Sequence, residues 1–208
     1  MQIGIYKKTS KKQLIIDYTI EDYFRELDII HIYLIDMKSF FESKNQQIEN
    51  ELNKEDLLIK YSLLQQPNYK LYDKTFNDIV YKNIFVSLIS KLEFNLFKLI
   101  EELENQDLIS KTFVKKQPYI INANRYLNKM LEININIDKI IFFISIRNRI
   151  IHHNSSSNDH IKKNKHFEEF GKYVYIQNNI FYFKDLNYSL ALIKEIRNYF
   201  NLINEQIQ

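Results

Sequence analysis

The stretch that decides the fold is residues 84–103, which read IFVSLISKLEFNLFKLIEEL. Its apolar residues recur every three or four positions and therefore share one face of a helix. They are Ile84, Leu88, Leu92, Leu96, Leu99 and Leu103, with Phe85, Ile89 and Ile100 broadening the stripe. A stripe of this width is typical of a helix packed by several neighbours. We therefore predict a long helix over about residues 74–105, inside a helical bundle.

The same spacing predicts helices on both sides of this one. A first helix would begin after Thr19, a residue type that caps helix starts, and run to about residue 52. Further helices are expected over about 55–64, 120–132, 137–153 and 188–205, with Asn136 capping the one at 137. Residues 13–16 predict a short strand ahead of the first helix, and Pro67 predicts a loop after residue 64.

A single β-hairpin interrupts the helical pattern. Residues 173–176 read YVYI and residues 180–183 read IFYF, and these β-prone runs flank Asn178 and Asn179. Asparagine tolerates the positive φ that a tight turn needs. The predicted fold is therefore all-α: a bundle of four to six helices with a small β-hairpin inserted before the last helix. We expect one domain over 1–208, with an N-terminal helical extension at 1–70 and a core at 71–208.

Composition excludes several kinds of site. The chain has only two glycines, whereas a phosphate-binding P-loop or a dinucleotide fingerprint needs several in one turn. It has no cysteine, so disulfides, thiolate catalysis and cysteine-ligated zinc are excluded. The longest purely apolar run, at 140–144, is far shorter than the ~20 residues of a membrane span. With no apparent signal peptide, we expect a cytoplasmic protein without a membrane partner.

The polar cluster at residues 145–154, SIRNRIIHHN, carries the strongest functional signal. It places two arginines, two histidines and two asparagines directly after an apolar helical stretch at 138–144. Polar groups in such a position are costly unless they find partners. Arginine binds a phosphate bidentately, and the charge of histidine changes near neutral pH. These residue types are suited to cleaving a phosphodiester without a metal.

The spacing within the cluster leaves two arrangements open. Asn148 and His152 are four residues apart and share a helix face. Arg147 and His152 are five apart, so a straight helix points them ~140° away from each other. Either the helix frays near His152 and the long arginine reaches across, or a second copy of the helix completes the site.

The order of these residues resembles the hallmark of the HEPN superfamily, a group of RNA-cleaving helical domains. That hallmark is an arginine, four to six intervening residues and a histidine, often with a polar residue just after the arginine. Here it reads RNRIIH, from Arg147 to His152. The layout over about 75–205 is also similar, because the motif ends a late helix and is followed by a short hairpin and a last helix.

The resemblance implies a role for each residue. His152 would be the acid–base residue, Arg147 would bind the scissile phosphate, and Asn148 would orient one or the other. It implies a metal-independent endoribonuclease that cleaves its RNA substrate by 2′-OH attack, without a cofactor, and that acts as a homodimer. The family is concentrated in growth arrest and antiviral defence, so the resemblance implies a toxin or antiviral-defence effector, with an antitoxin or sensor protein as an expected partner.

Three neighbours are candidate auxiliary residues: Arg149, His153 and Asn154. His153 fits the motif with five intervening residues, but His152 is favoured because it shares a face with Asn148. Relatives that are paired with nucleotidyltransferase antitoxins carry a modified tyrosine two residues after the histidine. Since Asn154 occupies that position, silencing by tyrosine AMPylation is not expected here.

Other interpretations of the cluster predict different behaviour. Cations at a helix C-terminus can simply cap carbonyls, which stabilises a helix by ~0.3–1 kcal/mol. A zinc site is not predicted, because His152, His153, His160 and His166 follow no known ligand spacing. The functional alternative is a non-catalytic RNA- or protein-binding helical dimerisation module.

Overall fold

The computed structural model describes residues 11–64, 74–157 and 159–207. Five long helices form the bundle: α1 (Lys11–Leu52), α3 (Lys74–Asn105), α4 (Tyr119–Leu131), α5 (Asp138–His152) and α8 (Asn187–Ile207). Within the described residues, three short helices lie between them: α2 (Leu57–Leu64), α6 (Asp159–Lys162) and α7 (Phe167–Phe170), the last followed by a 3₁₀ turn at Gly171–Tyr173. The strands β1 (Val174–Gln177) and β2 (Ile180–Phe183) precede α8. The prediction of an all-α bundle with an inserted hairpin is confirmed.

Helix α3 is the centre of the bundle and has the predicted bounds. It contacts α1, α4, α5 and α8 as well as β2. Its stripe is buried as expected, at Leu88, Leu92, Leu96, Leu99 and Leu103, while Ile84 is half-buried. Each such leucine contributes about 1.5–3 kcal/mol by burial. Phe85 extends the core to the hairpin and α8, since its ring lies 5.4 Å from Phe183 and 5.1 Å from Tyr188.

Helix α1 differs from its prediction at the N-terminal end. The strand predicted at 13–16 is wrong, and so is the helix start after Thr19, because α1 already includes Lys11. The physical reason is that the buried positions of α1 recur at helical spacing on both sides of Thr19: Gln13, Ile16, Ile20, Tyr23, Leu27, Leu34 and Phe41. This face packs on α3 and α8, with Tyr23 and Phe200 edge to face at 5.0 Å. Residues 11–41 therefore contribute to the bundle core. The loop predicted at Pro67 lies outside the described residues.

The hairpin has the predicted turn and is anchored on α3. Asn178 and Asn179 have φ of 49° and 59°, the left-handed backbone that a two-residue turn requires. Phe183 is buried, and its backbone N–H donates to Oδ1 of Asp78 on α3 at 2.7 Å. The other oxygen of Asp78 forms a buried ion pair with Lys82. The hairpin is therefore held against the bundle by packing and by a hydrogen bond to the Asp78 carboxylate.

A short segment, residues 133–137, packs against the core immediately before α5 begins. Ile133, Ile135 and Ile137 are buried, while the residues between them are exposed. Asn136 accepts a hydrogen bond from the N–H of Asp138 at 2.7 Å, but the N-cap position itself is Ile137. The predicted cap was therefore wrong by one position. Within the described residues, no helix has both the length and the apolar composition to span a membrane.

Candidate functional site

The polar cluster lies at the end of α5, where packing holds it in place. One side of this helix is buried, and its buried residues are Ile140, Phe142, Phe143 and Ile146. The ring of Phe143 contacts three other aromatic rings, those of Phe85 on α3, Phe170 on α7 and Tyr188 on α8. Because these contacts determine the rotation of α5, the opposite side of its C-terminal half is left facing a cavity.

The cavity has a volume of about 430 Å³ and is bounded by three parts of the chain. Helix α3 contributes Ile89, Ser90 and Glu93, and the start of α4 contributes Gln117, Pro118, Tyr119 and Ile120. Helix α5 and its cap contribute Ile144, Arg147, Asn148, His152 and His153. The α5 positions span about 140° of the helix circumference, so the cavity is a broad groove across the helix end.

The predicted residues divide into two groups. Arg147, Asn148, His152 and His153 line the cavity, whereas Arg149 and Asn154 do not. The breadth of the groove explains how Arg147 and His152 both reach it despite their spacing. Helix α5 remains helical through His152, so no fraying is needed. A second copy of the helix is not needed either for these two side chains to share one opening.

The segment that follows the two histidines is held by the hairpin. Asn154 and Ser155 have φ of 48° and 60°, so the chain reverses direction directly after His153. The carbonyl of Ser155 then accepts a hydrogen bond from the N–H of Phe181 at 2.8 Å, and Ser156 forms a β-bridge to Ile180. The edge of β2 therefore positions the chain at the mouth of the cavity.

Among the described residues, neither Arg147 nor His152 donates a hydrogen bond to a carbonyl at the end of α5. The carbonyl of Arg149 is already satisfied by the backbone N–H groups of His153 at 3.1 Å and Ser155 at 2.9 Å. Arg147 donates through Nη1 to Oδ1 of its neighbour Asn148 at 3.1 Å, and its buried Nε has no hydrogen-bond partner in the part of the chain that the structure describes. A buried unsatisfied donor costs about 1–3 kcal/mol, more when charged. An anionic ligand in the cavity would supply acceptors for this guanidinium.

Glu93 is a site residue that the sequence analysis missed. It is half-buried on α3 and lines the same cavity. Burial raises the pKa of the Glu93 carboxyl, and the charge of Arg147 opposes part of that rise. The sequence did contain a signal for the partial burial of Glu93, because this residue lies four positions after Ile89 and seven before Ile100. An acidic residue on the edge of an apolar stripe is expected to be partly desolvated.

Neither a metal-site pattern nor a comparison with known proteins assigns a function to this cavity. Among the side chains of the described residues, no three His, Asp or Glu groups lie together as a metal site would require. The chain matches no protein-family model, and no curated protein or solved structure matches it.

Proposed function

We propose that the protein is a metal-independent endoribonuclease that cleaves RNA by attack of the 2′-hydroxyl on the adjacent phosphorus. The observation that carries the proposal is that Arg147, Asn148 and His152 line one open cavity of about 430 Å³. The resemblance of the Arg147–His152 segment to the HEPN motif supports it independently. Arg149 and Asn154 take no part in the proposed chemistry.

The chemistry of these side chains is suited to that reaction. The phosphorane formed by 2′-oxygen attack gathers negative charge, which a guanidinium stabilises by paired hydrogen bonds. Arg147 is half-buried and retains an unused Nε donor for this purpose. His152 is exposed at the opening and can exchange protons with water, and general acid–base help accelerates such reactions ~100- to 10,000-fold. DNA lacks the attacking group, so it would not be cleaved.

We also propose that two copies associate through the outer face of α3. This face is uncharged along four turns, at Ile79, Asn83, Val86, Ser87, Ser90 and Phe94. Ile79 and Phe94 are more than half exposed in one chain, and Ser90 also lines the cavity. A two-fold axis across this face would bury Phe94 of each copy and place the two cavities side by side.

The biological role that fits unrestrained RNA cleavage is growth arrest, as a toxin or an antiviral-defence effector. Such an enzyme needs restraint, so an antitoxin or sensor protein is the expected partner. Plasmid-borne expression of the wild type should halt growth, while expression of His152→Ala should not.

The biochemical test uses single-stranded RNA in the presence of EDTA. The wild type is expected to cut it and leave 2′,3′-cyclic phosphate ends. An oligonucleotide with one 2′-O-methyl nucleotide at the mapped cleavage site should resist cutting there, because the nucleophile is blocked. Retention of RNA without products would instead support the non-catalytic binding module, and cutting at the methylated position would contradict the proposed mechanism.

A further inference from the structure

The proposed reaction, on which this inference rests, needs two proton carriers. The 2′-oxygen must lose its proton as it attacks phosphorus, and the 5′-oxygen must gain one as it leaves. These two oxygens occupy opposite apices of the trigonal bipyramid, so one imidazole does not reach both in the same step. His152 can serve only one of them.

We propose that Glu93 is the second proton carrier of the cavity and that both carriers belong to one chain. Glu93 lies on the wall formed by α3, whereas His152 lies on the wall formed by α5. A phosphodiester held by Arg147 between these walls would present one apical oxygen to each helix. Glu93 accepts the 2′-hydroxyl proton, and His152 donates a proton to the 5′-oxygen.

Among the acidic residues of α3, Glu93 is the one that lines the cavity, and its surroundings differ from those of Glu101 and Glu104. Glu104 accepts hydrogen bonds from the hydroxyl of Tyr126 at 2.8 Å and from the N–H of Phe113 at 3.2 Å. Glu101 is exposed to solvent. Glu93 is half-buried and interacts with the charge of Arg147, yet it takes part in no ion pair or hydrogen bond with the described residues. A carboxyl that is partly desolvated without a partner costs stability, so the fold alone does not explain it.

His153 is the other histidine that lines the cavity, but its position is unsuitable. It directly follows His152 at the exposed end of α5. His152 and His153 both belong to the wall formed by α5 and its cap. Opposite apices require groups on different walls, which Glu93 and His152 supply.

Each atom and proton is accounted for in this step. A bond forms between the 2′-oxygen and phosphorus, and the bond between phosphorus and the 5′-oxygen breaks. Glu93 gains the proton of the 2′-hydroxyl, and His152 loses one to the 5′-oxygen. The products are a 2′,3′-cyclic phosphate and a 5′-hydroxyl, and exchange with water restores both side chains. Arg147 stays charged throughout.

The burial of Glu93 supports its role as the base. Burial raises the pKa of this carboxyl above that of an exposed glutamate, which makes the carboxylate a stronger proton acceptor. The rate should therefore rise with pH as Glu93 ionises.

The experiment compares Glu93→Gln with Glu101→Gln, a matched change on the exposed side of the same helix. Single-turnover cleavage of RNA in EDTA is measured across the acid and neutral pH range, and thermal unfolding confirms that both variants fold. We expect Glu93→Gln to cut ~100-fold more slowly or worse and to lose the rise of rate with pH, as removal of a general base predicts. Glu101→Gln should keep the wild-type profile.

Two results would overturn the inference while leaving the proposed function intact. One is an active wild type with an equally active Glu93→Gln; the other is a slower Glu93→Gln that keeps the acid limb of the profile. A wild type that leaves RNA uncut removes the proposed function and this inference together. Mixing equal amounts of Glu93→Gln and His152→Ala should restore no cleavage, since neither chain has both carriers. Restored cleavage would show that the carriers come from different chains.

Discussion

The guanidinium of Arg147 donates through Nη1 to Oδ1 of Asn148 at 3.1 Å, a hydrogen bond between adjacent residues that line the same cavity. This contact uses one of the five N–H donors of the arginine, and the buried Nε has no partner among the described residues. The neighbouring amide thus orients the guanidinium without neutralising it. Such an arrangement leaves donors of the guanidinium available to a ligand.

Arg147→Lys tests whether the shape of this cation matters in addition to its charge. Lysine keeps the charge but not the planar fork that binds two phosphate oxygens. We expect RNA cleavage to fall about 100-fold or more while the thermal unfolding midpoint changes little. Single-turnover rates of the two proteins would measure this, and a lysine variant as fast as the wild type would show that no bidentate contact is used.

The raised pKa of Glu93 predicts an effect on thermal stability that can be measured without an activity assay. Because burial raises its folded-state pKa, the folded protein binds this proton more tightly than the unfolded chain. Ionisation therefore opposes folding once the pH exceeds the unfolded pKa, and the full penalty is present above the folded pKa. Glu93→Gln should raise Tm at neutral pH but not at acid pH, where the wild-type carboxyl is protonated.

Calorimetry at the two pH values would measure the difference, with Glu101→Gln as the control. The exposed Glu101 should show no such pH-dependent gain. A Glu93→Gln variant whose Tm relative to wild type is the same at both pH values would contradict the partial burial of this group.

The buried ion pair between Asp78 and Lys82 predicts a large stability effect. Their side chains are 6% and 12% exposed, and Asp78 also accepts the N–H of Phe183. Asp78→Asn leaves the lysine charge uncompensated, so we expect a loss of about 3–5 kcal/mol in the free energy of unfolding. Denaturant titration would measure it.

The matched control is Asp107→Asn, which removes an exposed pair with Lys111. Surface pairs contribute about 0–1 kcal/mol, so this variant should be close to wild type. Equal effects of the two substitutions would mean that the hairpin is not held by the buried pair.

The proposed dimer can be tested at Phe94, which is 60% exposed on the outer face of α3. Phe94→Asp should raise the dimer dissociation constant about 30-fold or more, since central aromatic residues contribute about 2 kcal/mol or more to interfaces. Light scattering over a concentration series would measure it. Val114→Asp, an equally exposed apolar residue beyond α3, should leave the mass unchanged. A wild type that is monomeric at all concentrations would contradict the proposed interface.

The elements that the sequence predicted well are those whose signal is local. The stripe of α3 and the asparagine turn of the hairpin follow from spacing and backbone preference, and both were placed correctly. The start of α1 was misplaced because Thr19 can cap a helix, yet burial against α3 and α8 outweighs that preference. Tertiary packing decided the outcome there, which residue type alone does not reveal.

The candidate site was predictable only in part for a similar reason. Arg147, Asn148 and His152 lie close together in the chain, so a motif could identify them. Glu93 and the wall formed by residues 117–120 reach the cavity through contacts between helices that are distant in sequence. Such contacts depend on how α3, α4 and α5 pack, which periodicity does not determine.

The most direct test compares the wild type with His152→Ala on single-stranded RNA in EDTA, with His31→Ala on α1 as a histidine control outside the cavity. We predict that the wild type and His31→Ala release fragments ending in 2′,3′-cyclic phosphate and that His152→Ala releases none above background. Equal cleavage by His152→Ala and the wild type, or no cleavage by either, would contradict the assignment of this cavity as a ribonuclease site.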